Sequence, residues 1–420
     1  MRLLPLATRN LMRNPRRTAI SLAALVVGVG AMVGLRGFIN GQQRVVLENI
    51  VLGQVGAIQV HRTGYLANVQ GSPLTLDLED SPALRERLSR VDGVTGVAPR
   101  IVFGGMVSLP DATEESEDAG RTGYLLLTAY DPELEPRVTP RRLTWLAEGA
   151  HLSGGDTPGL LLDADMARSL RATVMEPSVD EEAWPALLAA DREGVLNGEA
   201  VRLTGTLVGA PLGDQRQGYV PLGTAQRLLR MEGRVTEYAL SVANLEDVHA
   251  VRDAARAVLG PGYEVHAWDD VLPFVAQLVR HQDFIFAIVT LVFLLTVLLG
   301  IVNVMLMNVL ERVREIGTLL AVGLRRRHVV SLFLLEGAVL GLLGGVLGAG
   351  VGWGVTWWLG RQGIHLPAYG TTADSVIRPH ISGLYVVRAV GLATVGAALA
   401  ALWPAYRASQ LRPVEALAHS

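Results

Sequence analysis

The sequence predicts an α+β membrane protein. It has four transmembrane helices in a 1+3 arrangement and a large extracytoplasmic α+β domain between the first and second. Three observations lead there. Half of the 420 residues are hydrophobic, and they gather into four long runs. Residues 39–283, between the first two runs, alternate short strand-like and helix-like patterns instead. Arginines cluster at the start of the chain and between the second and third runs.

Residues 1–17 carry Arg2, Arg9, Arg13, Arg16 and Arg17 and no acid. Residues 18–38 form the first apolar run, long enough for a span, which needs ~20 residues. A signal peptide also begins basic and turns apolar, but its apolar region is shorter, roughly 7–15 residues, and ends at a small-residue cleavage site. This run ends at Arg36-Gly37-Phe38 without one, so it reads as a retained span.

Within 39–283, residues 57–61 read as a strand, 81–91 as an amphipathic helix and 94–107 as a strand. The same order recurs at 238–242, 247–259 and 263–267. Strand–helix–strand used twice predicts a sandwich of antiparallel sheet and helices. Asp111–Asp118 reads as a solvated hairpin tip. Glu176–Glu193, with Pro177 and Pro185, reads as an acidic surface insertion. Val201–Val208 is β-rich, and Pro221–Met231 is a proline-started helix.

Residues 284–309 are the second span. If its helical pattern is unbroken on both sides, about 40 residues at ~1.5 Å each give a rod of roughly 60 Å. Asn303 and Asn308 lie near its end, where they are interhelical donors or interfacial groups. Residues 310–330 form an elbow. Glu311 with Arg314, and Arg312 with Glu315, sit three apart on one helix face. Glu311 and Glu315 repel mildly, which fits a face that meets a basic surface. Ile316, Leu319 and Leu320 give an apolar side, Gly323 a helix stop, and Arg325, Arg326 and Arg327 follow. An ordinary basic loop would carry the same charges.

Residues 331–359 are the third span, with Gly337, Gly341 and Gly345 on one stripe and Gly344, Gly348 and Gly352 on its neighbour. Small residues at this spacing let helix backbones approach closely, within one chain or between two. Trp353, Trp357 and Trp358 fit an interfacial belt, and Glu336 reads as interfacial. Residues 360–383 are an outer loop, 384–403 the fourth span and 404–420 a tail. Five arginines in the first 17 residues and five in the elbow face only Arg361 and Arg378 in the outer loop. The positive-inside rule therefore places both termini and the elbow in the cytoplasm. The chain would then be a multi-pass protein of the cell inner membrane.

Composition excludes several chemistries. All 37 basic residues are arginine, so a Walker A loop lacks its lysine, and lysine Schiff bases and lysine general bases are excluded. There is no cysteine, hence no disulfide, thiolate nucleophile or cysteine metal site. A net charge of −3 gives no case for nucleic-acid binding. No nucleophile elbow is present, and His61, His151, His249 and His266 are scattered without metal-ligand spacing. No metal or cofactor site is expected on this chain.

The elbow and both ends resemble the FtsX-like, or MacB-type, permeases of ABC transporters. The residues that carry the likeness are Glu311-Arg312, Glu315-Ile316-Gly317, Ala321-Val322-Gly323 and Leu335-Glu336. So do Trp403-Pro404-Ala405 and Pro413-Val414-Glu415-Ala416-Leu417 in the tail, and Arg9-Asn10-Leu11 and Asn14-Pro15-Arg16-Arg17-Thr18 at the start. In the outer domain, residues 56–65 (GAIQVHRTGY), Tyr219–Leu222 and Ala225–Leu229 are similar to the lipoprotein-releasing LolC/LolE branch. The resemblance implies that a separate ABC ATPase dimer, carrying ATP and magnesium, docks under the elbow. Glu311, Arg312, Arg314, Glu315, Ile316, Gly317 and Gly323 would form the coupling helix. It also implies a second permease copy or paralogue and a periplasmic chaperone or adaptor. The expected work is extraction of lipoproteins or other amphiphiles at the outer leaflet. Drug or peptide efflux with an adaptor, and FtsX-like signalling to a cell-wall hydrolase, are the alternatives. One departure is that Val201–Val208 leaves no room for the long hairpin with which chaperone-recruiting permeases capture their partner.

Overall fold

The computed structural model describes residues 15–71, 73–110, 121–154, 157–208, 216–322, 325–367 and 374–410. The expected acidic hairpin tip at 111–118, Gly323 and the tail motif at 413–417 lie outside the described residues. Two compact units form. One takes residues 1–44, 278–365 and 376–420, the other 45–277 and 366–375.

Helix α1 spans Pro15–Ile50 and runs on as one π-helical turn, Val51–Val55. It is longer than the apolar run 18–38 predicted. Residues 39–50 are more polar but contain no proline, so hydropathy falls before helix propensity does. The α/β unit then adds β1 (Ile58–Arg62), β2 (Leu78–Glu79), α2 (Pro82–Ser89), β3 (Val94–Ser108), β4 (Thr122–Tyr130), α3 (Glu135–Val138) and β5 (Leu146–Gly149). It continues with β6 (Gly159–Asp163), α4 (Ala164–Ser169), β7 (Ala186–Ala190), β8 (Leu196–Ala200), β9 (Arg202–Leu207) and β10 (Gln217–Pro221). Next come α5 (Leu222–Leu228), β11 (Arg234–Val235), β12 (Glu237–Val242), α6 (Val248–Leu259), β13 (Tyr263–Ala267) and α7 (Trp268–Val271).

One large sheet organises this unit, in the order β13-β1-β12-β3-β4-β10-β6-β9-β5, with β7 paired to β3 and β8 paired to β7. The two strand–helix–strand passages interleave, since β1 lies between β12 and β13 in antiparallel register. Their helices are neighbours, and Arg87 of α2 donates to the Val258 carbonyl of α6 at 2.6 Å. The sheet is mixed, not antiparallel: β10 runs parallel to β4, and β6 parallel to β9. Parallel pairing needs a crossover, and the connections that supply it carry too little periodicity to betray themselves. Both sheet faces are covered around β6. Leu160 and Leu162 join the main core, while Leu161 joins Tyr130, Leu207 and Tyr219 on the other side. That alternation is the two-residue period of a strand.

The acidic stretch 176–193 is not wholly an insertion. Ala186–Ala190 pairs with β3 and β8, and Leu187 and Ala189 are buried. Asp191 closes the hairpin by accepting the amides of Glu193 and Val195 at 2.9 Å each. A hairpin therefore does precede β9, but its β3 pairing seats it in the sheet, unlike a free capture arm.

The other unit holds most of α8 (Pro273–Glu311), then α9 (Val313–Ala321) and α10 (Arg326–Gln362), and finally α11 (Gly383–Ser409) after two short strands, β14 (Ile364–Pro367) and β15 (Asp374–Ile377). Among the described residues four helical stretches are long and apolar enough to cross a membrane: Thr18–Val55, α8, α10 and α11. Three boundaries differ from the sequence reading. Helix α8 runs past both ends of the expected span 284–309, from Pro273 to Glu311, and stops there because Arg312 leaves helical geometry. Helix α10 starts at Arg326, inside the arginine run. Helix α11 passes through Pro404 to Ser409, with Pro404 buried among neighbouring residues. Proline removes one backbone hydrogen bond, a loss that packed apolar helices tolerate.

Candidate functional site

The elbow is built on a break. Arg312 has φ −107° and ψ 15°, which ends α8 and starts the separate helix α9. Its side chain does two things. The Nε donates to Glu315 at 3.2 Å, the pair expected from their spacing. One terminal nitrogen donates to Glu336, on α10, also at 3.2 Å. The guanidinium lies 5.9 Å from the Phe333 ring centroid.

Glu336 is enclosed by the protein: it is 1 % exposed, as is Phe333. A buried carboxylate is costly unless a cation and hydrogen bonds compensate it, and Arg312 supplies both. Ile316 is 3 % exposed and packs into a core with Val329, Phe333, Met305 and Ala405. Gly317 is buried, whereas Glu311 and Arg314 are exposed. The elbow thus has an anchored side, carrying Arg312 at the break and Ile316 and Gly317 on α9, and an outward side, carrying Glu311 at the end of α8 and Arg314 on α9. Sequence spacing could pair Arg312 with Glu315 but not with Glu336, because no local period links positions 24 apart.

The six glycines of α10 divide between two neighbours within the chain. A Cβ at Gly337 would stand 2.8 Å from Ala401 Cβ, one at Gly341 2.6 Å from Ala397 Cβ, and one at Gly345 3.3 Å from Ala393 Cβ, all on α11. On the second stripe, Gly344 would meet Leu25 Cβ at 2.6 Å, Gly348 the Val26 carbonyl at 2.8 Å and Gly352 the Gly30 carbonyl at 2.6 Å, all on α1. At five of these approaches only hydrogen fits, and at Gly345 the contact would be tight.

Among the described residues no group of three or more acidic or histidine side chains is arranged to hold a metal. His61 and His266, scattered in sequence, are neighbours across β1 and β13 with ring centroids 6.3 Å apart. His61 also stacks on Tyr65 at 4.3 Å. Burial lowers its pKa to about 4, so the ring is neutral at pH 7.

Long apolar helices, a broken elbow tied to the helix after it and an inserted α/β unit describe a membrane permease. The FtsX-like permease C-terminal family matches residues 287–413, and the MacB-like periplasmic core domain matches residues 18–258. The second match covers more than half of the chain, and the protein belongs to this MacB-like, FtsX-type permease family. Among its relatives is the macrolide export ATP-binding/permease protein MacB of Nitrobacter winogradskyi, 26 % identical over 421 residues, covering 96 % of this chain and 58 % of that protein. Another is the pyoverdine export ATP-binding/permease protein PvdT of Pseudomonas fluorescens, 22 % identical, covering 96 % of this chain and 57 % of that protein. The chain thus spans somewhat more than half the length of the curated relatives it matches. The periplasmic region of MacB from Actinobacillus actinomycetemcomitans is similar with a TM-score of 0.34 at 10 % identity, over 56 % of this chain and 98 % of that one.

Proposed function

We propose that this chain is the permease part of an ATP-driven ABC transporter of the inner membrane. Both termini and the elbow face the cytoplasm, and the α/β unit lies outside. Its motor is an ABC ATPase dimer carrying ATP and magnesium, supplied from outside these 420 residues, which contain no lysine for a phosphate-binding loop. A second permease copy or paralogue completes the assembly. The observation that carries this reading is the anchored elbow. Helix α9 is separated from α8 by the break at Arg312 and locked to α10 by the Arg312–Glu336 pair. A push on its outward side therefore moves α10 with it. Residues Glu311, Arg314 and Glu315 form the contact with the motor, and Arg312, Ile316 and Gly317 hold the helix in place.

The cargo fits an amphiphile handled at the outer face, with a periplasmic adaptor as partner. Relatives named for macrolide and pyoverdine export support this over lipoprotein release. The hairpin β7–β8 is seated in the sheet, which weighs in the same direction because chaperone capture needs a free arm.

Purified gently from membranes, the chain is expected to bring an ABC ATPase with it. Glu311→Arg reverses an exposed charge on the outward side of the elbow. That variant should stay folded and lower ATPase retention or hydrolysis in the complex at least about tenfold, as expected for a lost interfacial charge pair. Retention and hydrolysis at the wild-type level would remove the elbow from the mechanism.

A further inference from the structure

The first long helix ends against a buried charge cluster that lies wholly within the α/β unit. The last carbonyls of a helix have no amide donors of their own. At the π-helical turn Val51–Val55 two guanidinium groups take them. Arg142 donates from Nε to the Gly53 carbonyl and from Nη2 to the Gln54 carbonyl, both at 3.0 Å. Arg100 donates from Nη1 to the Gln54 carbonyl at 3.0 Å and the Val55 carbonyl at 3.2 Å. Both arginines are buried, 1 % and 3 % exposed.

Each is held from behind. Glu135 grips Arg100 in bidentate fashion, at 2.6 and 3.0 Å, and lies 2.9 Å from Arg142 Nη1 in ion-pair contact. Glu237 lies 3.4 Å from Arg100, and the Thr139 hydroxyl donates to Glu135 at 2.6 Å. Arg142 also sits over the rings of Tyr130 and Tyr219, at 5.0 and 4.5 Å. The stretch that supplies these groups grips the helix at further points. Arg141 donates to Glu48 and, at 2.6 Å, to Asn49, and Trp145 lies so close to Gly53 that no Cβ would fit there.

Burial works against the Glu135 carboxylate, yet Arg100 and Arg142 outweigh it and hold its pKa below the ordinary value. Two cations and two carboxylates balance in charge, and cations are favoured at a helix C-terminus. The expense of the arrangement is what distinguishes it. Buried ion pairs gain little stability over apolar packing, whereas removing one partner is strongly destabilising. A glycine stop alone would have ended the helix, and Gly56, at φ +82°, already provides one.

We infer that Arg100 and Arg142 form a clamp that fixes the C-terminal end of α1 to the sheet of the α/β unit. A displacement of α1 then enters the sheet at Gly53–Val55 instead of being absorbed by a loose connection. These are positioning residues, and the inference rests on the ATP-driven reading proposed above.

The test uses the full chain with its motor. Arg142→Met combined with Glu135→Gln removes one cation and one carboxylate together, which keeps the cluster balanced. Two readouts apply. The Gly56 amide, bonded to the Val51 carbonyl at 2.9 Å, should exchange roughly ten- to a hundredfold faster in the variant. The Ala57 amide, bonded to Leu240 in the sheet, should be unchanged. Spin labels at Gln42 and Ala254 should report a nucleotide-driven change of spacing in the wild type. That change should be lost in the variant while ATP hydrolysis continues. A folded variant that keeps the full change overturns the clamp. A wild type with no nucleotide-driven change overturns the ATP-driven reading itself. If the double variant does not fold, Arg142→Lys keeps the charge but cannot reach both carbonyls, and the same two readouts decide. A wild-type Gly56 amide that exchanges as fast as a frayed helix end also overturns the clamp.

Discussion

At the scale of single residues, the informative groups are charges that should not be buried but are. Glu336 stands on an apolar helix with its carboxylate on Arg312. Replacing it with alanine leaves the partly buried Arg312 guanidinium with Glu315 as its remaining ion-pair partner. Glu336→Ala should cost roughly 2 kcal/mol, the scale of a charged hydrogen bond, and lower the thermal midpoint in detergent. An unchanged midpoint would show that the pair contributes nothing. His61 gives a pH dependence. Its pKa is about 4 in the folded chain against 6.5 unfolded. Below pH 6.5 the unfolded chain takes up a proton that the folded chain refuses, so stability falls as pH drops from 6.5 towards 4. The full loss is roughly 3 kcal/mol. Burial raises the pKa of neighbouring Glu237, which acts in the opposite sense as pH changes, so the comparison must be with a His61→Gln protein. Subtracting the two pH–stability curves isolates His61, and parallel curves would contradict the assignment.

At the scale of elements, glycine positions sort by what they face. Gly341 meets α11 at a distance no Cβ tolerates, whereas Gly350 has nothing within 4 Å. Gly341→Ala should therefore destabilise by about 1–3 kcal/mol through overpacking. Gly350→Ala should cost nothing. Equal thermal midpoints for the two variants would dismiss the close approach of α10 and α11. The stripes were legible from four-residue spacing. Their partners were not, because spacing tells which residues share a face and nothing about which helix covers it. The strand β7 was hidden for a different reason: Glu181, Glu182 and Asp191 surround an apolar run of five residues, and charge obscured it.

At the scale of the whole molecule, the lysine-free sequence bears on the proposed division of labour between this chain and a motor. The 420-residue chain, purified alone, is expected to hydrolyse no ATP, and the measurement is phosphate release with a mock-purified control. Hydrolysis that follows the chain through repeated purification would place a motor inside it. The Arg312–Glu315 pair was legible because i,i+3 spacing is local, whereas the break at Arg312, which leaves Glu311 on α8 instead of on one helix with Arg314, was not. The clamp at Gly53–Val55 was invisible because its members, at 54, 100, 135, 142 and 237, come from segments with no shared period.

The sequence by itself determined which stretches are apolar enough to cross a membrane, where short helices and strands begin, and that no phosphate-binding lysine is present. Those properties depend on composition and on periods of two or 3.6 residues, which the chain carries locally. Only the tertiary structure decided that Arg312 reaches Glu336, that the glycines of α10 serve both α1 and α11, and that two arginines cap the first helix. Each of those contacts joins residues far apart in the chain, and their pairing is set by how the elements pack together.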